Sequence, residues 1–179
     1  MSGKVLVLAL VIFTVIFGGA LWYFQTQAFY AVVTDVDEIS VQGQTLPVVK
    51  YQGIDADTSP LKLRACFRIR DGVAPDALAH FPRADGATPL VAPAWFDCFD
   101  APALQKGIDD GPLRPVVAGQ NEPWGFDRIV ATWPDGTGVM WRQMNRCGLA
   151  QFAGDPLPEG CPPQPDDAPD DKPDDKKDR

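Results

Sequence analysis

Histidine is nearly absent from this chain: His80 is the only one in 179 residues. The four cysteines, Cys66, Cys98, Cys147 and Cys161, include no Cys-x-x-Cys pair. Zinc-ligand spacing is therefore missing, and so is the vicinal thiol pair of a thiol–disulfide catalyst. No Gly-x-Ser-x-Gly frames a serine nucleophile, and His80, in Leu78-Ala-His-Phe-Pro82, reads as an ordinary polar residue near a turn. Basic residues are outnumbered, 16 against 24 acidic, for a formal net charge of −8. Without a basic patch the chain has no footprint for nucleic acid and no electrostatic pull toward an anionic lipid surface. No metal or cofactor is implied.

What is present starts with an uncharged apolar run of twenty residues, Val5 to Phe24. At ~1.5 Å per residue, a helix of that length covers the ~30 Å hydrocarbon core of a bilayer. Lys4 precedes the run, the first charges after it are Asp35, Asp37 and Glu38, and the next basic residue is Lys50. Basic residues stay on the cytoplasmic side, so the expected orientation is N-terminus in and C-terminus out. Trp22, Tyr23, Phe24, Phe29 and Tyr30 form an aromatic belt where the chain would leave the bilayer. Gly18-Gly19-Ala20 supplies small residues for an alternative, a cleaved signal peptide. The long apolar core, the single preceding lysine and the aromatics just after the site favour a retained anchor. Both readings export the remainder, and the lack of a cysteine near the span excludes a lipoprotein anchor.

Four cysteines in an exported domain point to disulfides with three possible connectivities. Cys147–Cys161, closing a short loop, together with Cys66–Cys98, tying a strand to a more distant segment, is the preferred pairing. The sequence divides into an anchor with its juxtamembrane segment (1–30), a globular stretch long enough for one buried core (31–161) and a tail (162–179). The tail holds five Pro, seven Asp, three Lys and one Arg in a four-residue repeat. It has too little apolar surface to offset its ordering entropy, so disorder is expected.

The globular stretch reads as an α+β domain, mainly an antiparallel sheet with one or two short helices. Val32 to Val41 and Leu46 to Tyr51 form a hairpin about Gly43-Gln44. Leu61 to Arg70 alternates, with Leu61, Leu63, Ala65, Phe67 and Ile69 on one face and Lys62, Arg64, Cys66, Arg68 and Arg70 on the other. Asp100-Ala-Pro102 starts a helix that ends near Gly107 or Gly111. Phe126 to Trp133 and Gly138 to Asn145 flank Pro134-Asp-Gly-Thr137, the strongest hairpin signal.

Local patterns tempt a catalytic reading. Asp55-Ala-Asp57-Thr58 matches the Asp-x-Asp-x-Thr nucleophile motif of haloacid-dehalogenase-like phosphatases, with Asp109-Asp110 imitating a magnesium pair. That family needs a parallel sheet with alternating helices, which this chain lacks, so the motif reads as a polar turn. As an EF-hand loop it fails, because Pro60 takes the glycine position and Cys66 the closing glutamate. Asp97 and Asp100 are explained by a turn and a helix cap. Aromatics are more informative: Trp95, Trp124, Phe126 and Trp141 are the candidate binding surface, with Trp124, between Pro123 and Gly125, the best placed for exposure.

Together Gly53-Ile-Asp55, Ser59-Pro-Leu61, Arg64-Ala-Cys66-Phe67, Ala94-Trp-Phe-Asp-Cys-Phe-Asp100, Asp127-Arg128, Pro134-Asp-Gly136, Asn145 to Gly148 and Glu159-Gly-Cys-Pro162 resemble the blocks of a Gram-negative bacterial family. Its members are small single-pass membrane proteins carrying a domain of unknown function. The resemblance spans anchor and domain but not the acidic tail, and implies no activity, cofactor or catalytic residue. The expected place is the bacterial inner membrane, crossed once, with the domain in the periplasm. The expected role is an accessory or assembly factor for an envelope or membrane complex, touching the bilayer and another membrane or periplasmic protein. The alternatives are a periplasmic small-ligand or glycan-binding module and, more weakly, an Asp55/Asp57 phosphatase. Only Gln25 to Tyr30 separate the span from the first strand, which keeps the domain at the membrane surface.

Overall fold

The computed structural model describes residues 3–73 and 77–165. The acidic run from 166 onward, where disorder is expected, lies outside the described residues. The first element, α1 (Gly3–Thr26), is one apolar helix of 24 residues, none of them buried against the rest of the chain. It is long and apolar enough to cross a membrane. The Thr14 and Thr26 hydroxyls donate to the carbonyls of Leu10 and Trp22, so neither needs an outside partner.

Seven strands follow: β1 (Ala31–Val33), β2 (Glu38–Val41), β3 (Gln44–Asp55), β4 (Arg64–Ile69), β5 (Arg114–Gly119), β6 (Phe126–Thr132) and β7 (Thr137–Met144). All pairings are antiparallel, in the order β1-β3-β4-β7-β6-β5, with β2 paired to β3. Gln42 and Gly43 both take positive φ (49° and 81°), the backbone a two-residue hairpin of the right twist requires. The β6–β7 turn is held by Asp135, whose carboxylate accepts from the Thr137 N–H (2.9 Å) and hydroxyl (3.0 Å). That backbone bond holds the Asp135 carboxyl below the usual carboxylate range.

The tip of the β2–β3 hairpin reaches across to β5. Gln42 donates its backbone N–H to Ala118 (2.7 Å) and its side-chain amide to Val117 (2.8 Å). The two sheet margins are thus joined, and the sheet curls toward closure instead of presenting β5 as a free edge. Inside the curl lie Val41, Val48, Ala65, Phe67, Val116, Val130 and Met140. The opposite face carries Ile54, Ile129, Ala131, Val139 and Trp141. It is covered by Phe96 and Phe99 and by Leu104 and Ile108 of α2 (Ala101–Asp109). Asp100 caps α2, accepting from the Ala103 N–H at 3.2 Å, and Gly111 (φ 98°) turns the chain after it. A third helix, α3 (Arg146–Ala153), follows β7 directly. The disulfides are Cys66–Cys98, between β4 and the segment before α2, and Cys147–Cys161, from α3 to the chain after it.

The α+β architecture, both hairpins and the capped helix are as expected, and three details differ. Val32 to Val41 divides into β1 and β2, because the chain turns at Asp35 (φ 60°). Leu61 to Arg70 opens with a 3₁₀ turn (Pro60–Lys62), and only Arg64 onward pairs as a strand. Arg64, expected on a polar face, is 4 % exposed. The face it shares with Cys66 is roofed by the segment that the Cys66–Cys98 bridge pulls down.

Candidate functional site

Register fixes one end of the sheet. Ala31 lies opposite Asp55, Arg64 opposite Trp141 and Phe126 opposite Met144. The starts of β1, β4 and β6 and the ends of β3 and β7 therefore share the end from which α1 departs. The sequence blocks Gly53–Asp55, Arg64–Cys66, Asp127-Arg128 and Asn145–Gly148 all meet there.

Anchor and domain are locked together. The Trp95 indole N–H donates to the Thr26 carbonyl at 2.6 Å, and the Tyr30 ring meets Trp95 edge-on at 5.9 Å. The Lys62 ammonium sits 5.2 Å from the Phe29 ring and 5.1 Å from the Tyr30 ring, within cation–π range. Behind this junction Arg64 is buried, with no carboxylate partner among the described residues. Its Nε donates to Leu90 O (2.8 Å), one terminal nitrogen donates to Leu61 O and Leu63 O (2.6 Å each), and the other reaches Val91 O (3.4 Å). Its guanidinium lies 5.6 Å from the Phe99 ring. Burial lowers its pKa to about 10, while the charges of Tyr30 and Asp55 act the other way. It remains cationic at physiological pH, so the carbonyls hold a charge that fixes the Leu90–Trp95 segment against the anchor.

Asp55 is fully engaged. Arg142 grips both its oxygens (3.2 and 3.0 Å), and the Ala56 N–H donates to Oδ1 at 2.8 Å. Asp57 is exposed, and Asp109 and Asp110 bond Gln105 and Lys106 at the end of α2. The pieces of the phosphatase motif are thus not gathered around one site. Burial raises the Tyr51 pKa, with the Asp55 charge adding to the rise and Arg128 and Arg142 opposing it. Arg128 itself pairs with Glu122 (2.9 Å) and donates to Ser40 O (2.8 Å).

A polar knot beside them joins Asn121, Asp127 and Asn145. Asn145 Nδ2 donates to Asp127 Oδ1 (2.7 Å) and Asn121 Oδ1 (2.9 Å), and Asp127 Oδ1 also accepts from the Asn121 N–H (3.0 Å). Asn145 Oδ1 caps α3 by accepting from the N–H groups of Cys147 and Gly148. The first turn of α3 sits directly on the 121–125 loop: a Cβ on Gly148 would lie 2.2 Å from Gly125 O. Gly148→Ala is accordingly expected to destabilise the domain by about 2 kcal/mol through overpacking. Unfolding by denaturant in detergent measures it; a cost under about 0.5 kcal/mol would show that α3 lifts away freely.

One of the four aromatics predicted as a binding surface is not at the surface. Trp141 is 0 % exposed, packed 6.4 Å from Phe99 in the core, and presents no surface. The reason is topological: β7 is flanked by β4 and β6, and the segment before α2 covers that face. Trp95 is half-buried at the anchor junction. Trp124, half-buried, donates its indole N–H to Pro162 O at 2.9 Å, and Phe126 is half-buried beside it in sequence. His80 is exposed, its ring centroid 4.0 Å from that of Phe81 with the two planes tilted by 37°. At the opposite end, beside the β6–β7 hairpin, a cavity of about 380 Å³ is lined by Leu78, Pro112, Arg114, Thr132 and Trp133 among others. None of the four predicted aromatics lines it. Among the described residues no three His, Cys, Asp or Glu side chains group as a metal site.

Arg64 and the Asn121–Asp127–Asn145 knot went unnoticed as sites because single polar residues reveal their burial only through the fold. The Asn145-x-Cys147-Gly148 spacing, an asparagine able to cap a helix just before a cysteine, is a local signal that could have marked that end.

A family model described as a family of unknown function (DUF6446) matches residues 33–162. No curated protein and no solved structure matches the chain.

Proposed function

The chain belongs to the DUF6446 family, a family of unknown function, and from that premise we propose that it is a membrane-anchored accessory or assembly factor for an envelope or membrane complex. The place proposed is the bacterial inner membrane, with α1 spanning it once, the N-terminus cytoplasmic and the domain periplasmic. The observation that carries this reading is the locked junction of Trp95, Thr26, Tyr30, Phe29 and Lys62. A flexible tether lets a domain sample ligands far from the bilayer. This one holds its domain at a fixed height and angle, which suits a partner in the same membrane or lying on it. The two disulfides suit an oxidising compartment.

Purification from native membranes in mild detergent, followed by quantitative mass spectrometry, tests it. The expected result is one stoichiometric membrane or envelope protein, crosslinked through a photoreactive residue at Trp124. A solitary protein would overturn the reading. The cavity beside Trp133 supports a second one, a binding module for a small apolar or sugar-like ligand, with Trp133 as stacking wall and Arg114 and Thr132 as polar contacts. A thermal-shift screen of periplasmic metabolites separates the two, since only this reading expects a hit that Trp133→Ala removes.

A further inference from the structure

Among the described residues outside α1, the large apolar side chains that stand exposed are Phe29 (45 %), Val32 (66 %), Val91 (78 %), Leu149 (57 %), Phe152 (84 %) and Leu157 (40 %). All six lie at one end of the sheet. Phe29 and Val32 flank the anchor junction, and Val91 belongs to the segment that Arg64 holds beside it. Leu149 and Phe152 are on α3, which leaves β7 at that same end, and Leu157 lies in the loop that Cys161 ties back to Cys147. The β6–β7 hairpin end has none among the described residues. In a soluble domain such residues would scatter singly. Here they segregate to the side from which a membrane-crossing helix emerges.

We propose that this end of the domain is a lipid-contact face, with α3 as a second attachment that seats Leu149 and Phe152 in the headgroup–acyl boundary of the leaflet α1 emerges through. Leu149 and Phe152 are three apart and so share one side of α3, while Cys147 on the opposite side is buried against the domain and Gly148, between the two sides, packs on Gly125. The Cys147 side of the helix is thereby held by the domain, and the side bearing Leu149 and Phe152 is left facing out, with Arg146 and Gln151 exposed at its flanks. The Gly148–Gly125 contact, the Asn145 cap and the Cys147–Cys161 bridge fix that orientation, so little ordering is lost on contact. With α1 at one margin and α3 displaced from it across β3, β4 and β7, the two attachments set the tilt of the domain. The inference requires α1 in the bilayer and holds with or without a protein partner.

The test uses the full chain reconstituted in vesicles of phosphatidylethanolamine and phosphatidylglycerol, with p-benzoylphenylalanine replacing Phe152, Leu149 or, as a control at the opposite end, Asp71. After illumination, mass spectrometry counts lipid adducts at each position. About tenfold more lipid adduct at 152 and 149 than at 71 is expected if α3 lies at acyl depth. Equal yields at the three positions, or adducts at 152 formed with a second copy of the chain, would overturn the proposal. Because no other protein is present, the result is independent of whether a stoichiometric partner exists in native membranes.

Discussion

Arg64→Met is expected to destabilise the domain by about 3–5 kcal/mol. Two terms oppose each other. Methionine removes a buried cation, which relieves the desolvation that pushes the Arg64 pKa down to about 10. It also leaves the carbonyls of Leu61, Leu63 and Leu90, the first and last part-buried and the second buried, without the donor that Arg64, itself 4 % exposed, supplies. Each orphaned acceptor costs ~1–3 kcal/mol, so three of them outweigh the relief. The guanidinium fork matters as much as the charge, because its acceptors lie in two different chain segments. Arg64→Lys keeps the charge but not the fork, and is expected to recover less than about half of the loss. Denaturant unfolding of the three proteins in detergent gives the order, and limited proteolysis of the 84–99 segment locates the damage. Should Arg64→Met fall within about 1 kcal/mol of the parent, the carbonyls find other partners and the anchor junction does not depend on this residue.

The lock between anchor and domain shows where sequence reasoning reaches and where it stops. The span, both hairpins and the Asp100 cap were legible because each is a local pattern: an uncharged run, alternation around Pro134-Asp-Gly, or Asp followed by proline. The absence of Gly, Ser and Pro between Gln25 and Tyr30 even signalled the short junction. What was not legible depends on distant partners. The alternation from Leu61 to Arg70 put Arg64 on a polar face correctly, yet that face is covered by residues thirty positions downstream. Trp141 read as surface aromatic because a tryptophan between Met140 and Arg142 carries no sign of its depth; only its central place in the sheet does. α3 escaped notice since its eight residues point Leu149 and Phe152 outward, the reverse of the inward stripe that identifies a helix packed on a core. Its outward stripe is the same feature that suggests a lipid face.

Removing the Cys66–Cys98 bridge as a Cys66→Ala/Cys98→Ala pair is expected to cost about 4 kcal/mol, against about 3 kcal/mol for Cys147→Ala/Cys161→Ala. Loop length sets the order, since the sequence separations are 32 and 14 and the entropy restored to the unfolded chain grows with the logarithm of the loop. The consequences also differ in reach. Cys98 draws the 84–99 segment over β4, and with it Phe96 and Phe99 over Trp141, Leu90 over Arg64 and Trp95 toward Thr26. Losing that bridge should therefore lower global stability and loosen the anchor junction together. The second bridge holds only α3 and the loop bearing Leu157, so its loss should leave the sheet protected from hydrogen exchange while α3 exchanges faster. Hydrogen–deuterium exchange in detergent on both double variants distinguishes the patterns. Equal losses spread over the whole domain in both variants would mean that α3 is integral to the core and that the second bridge does not act on it alone.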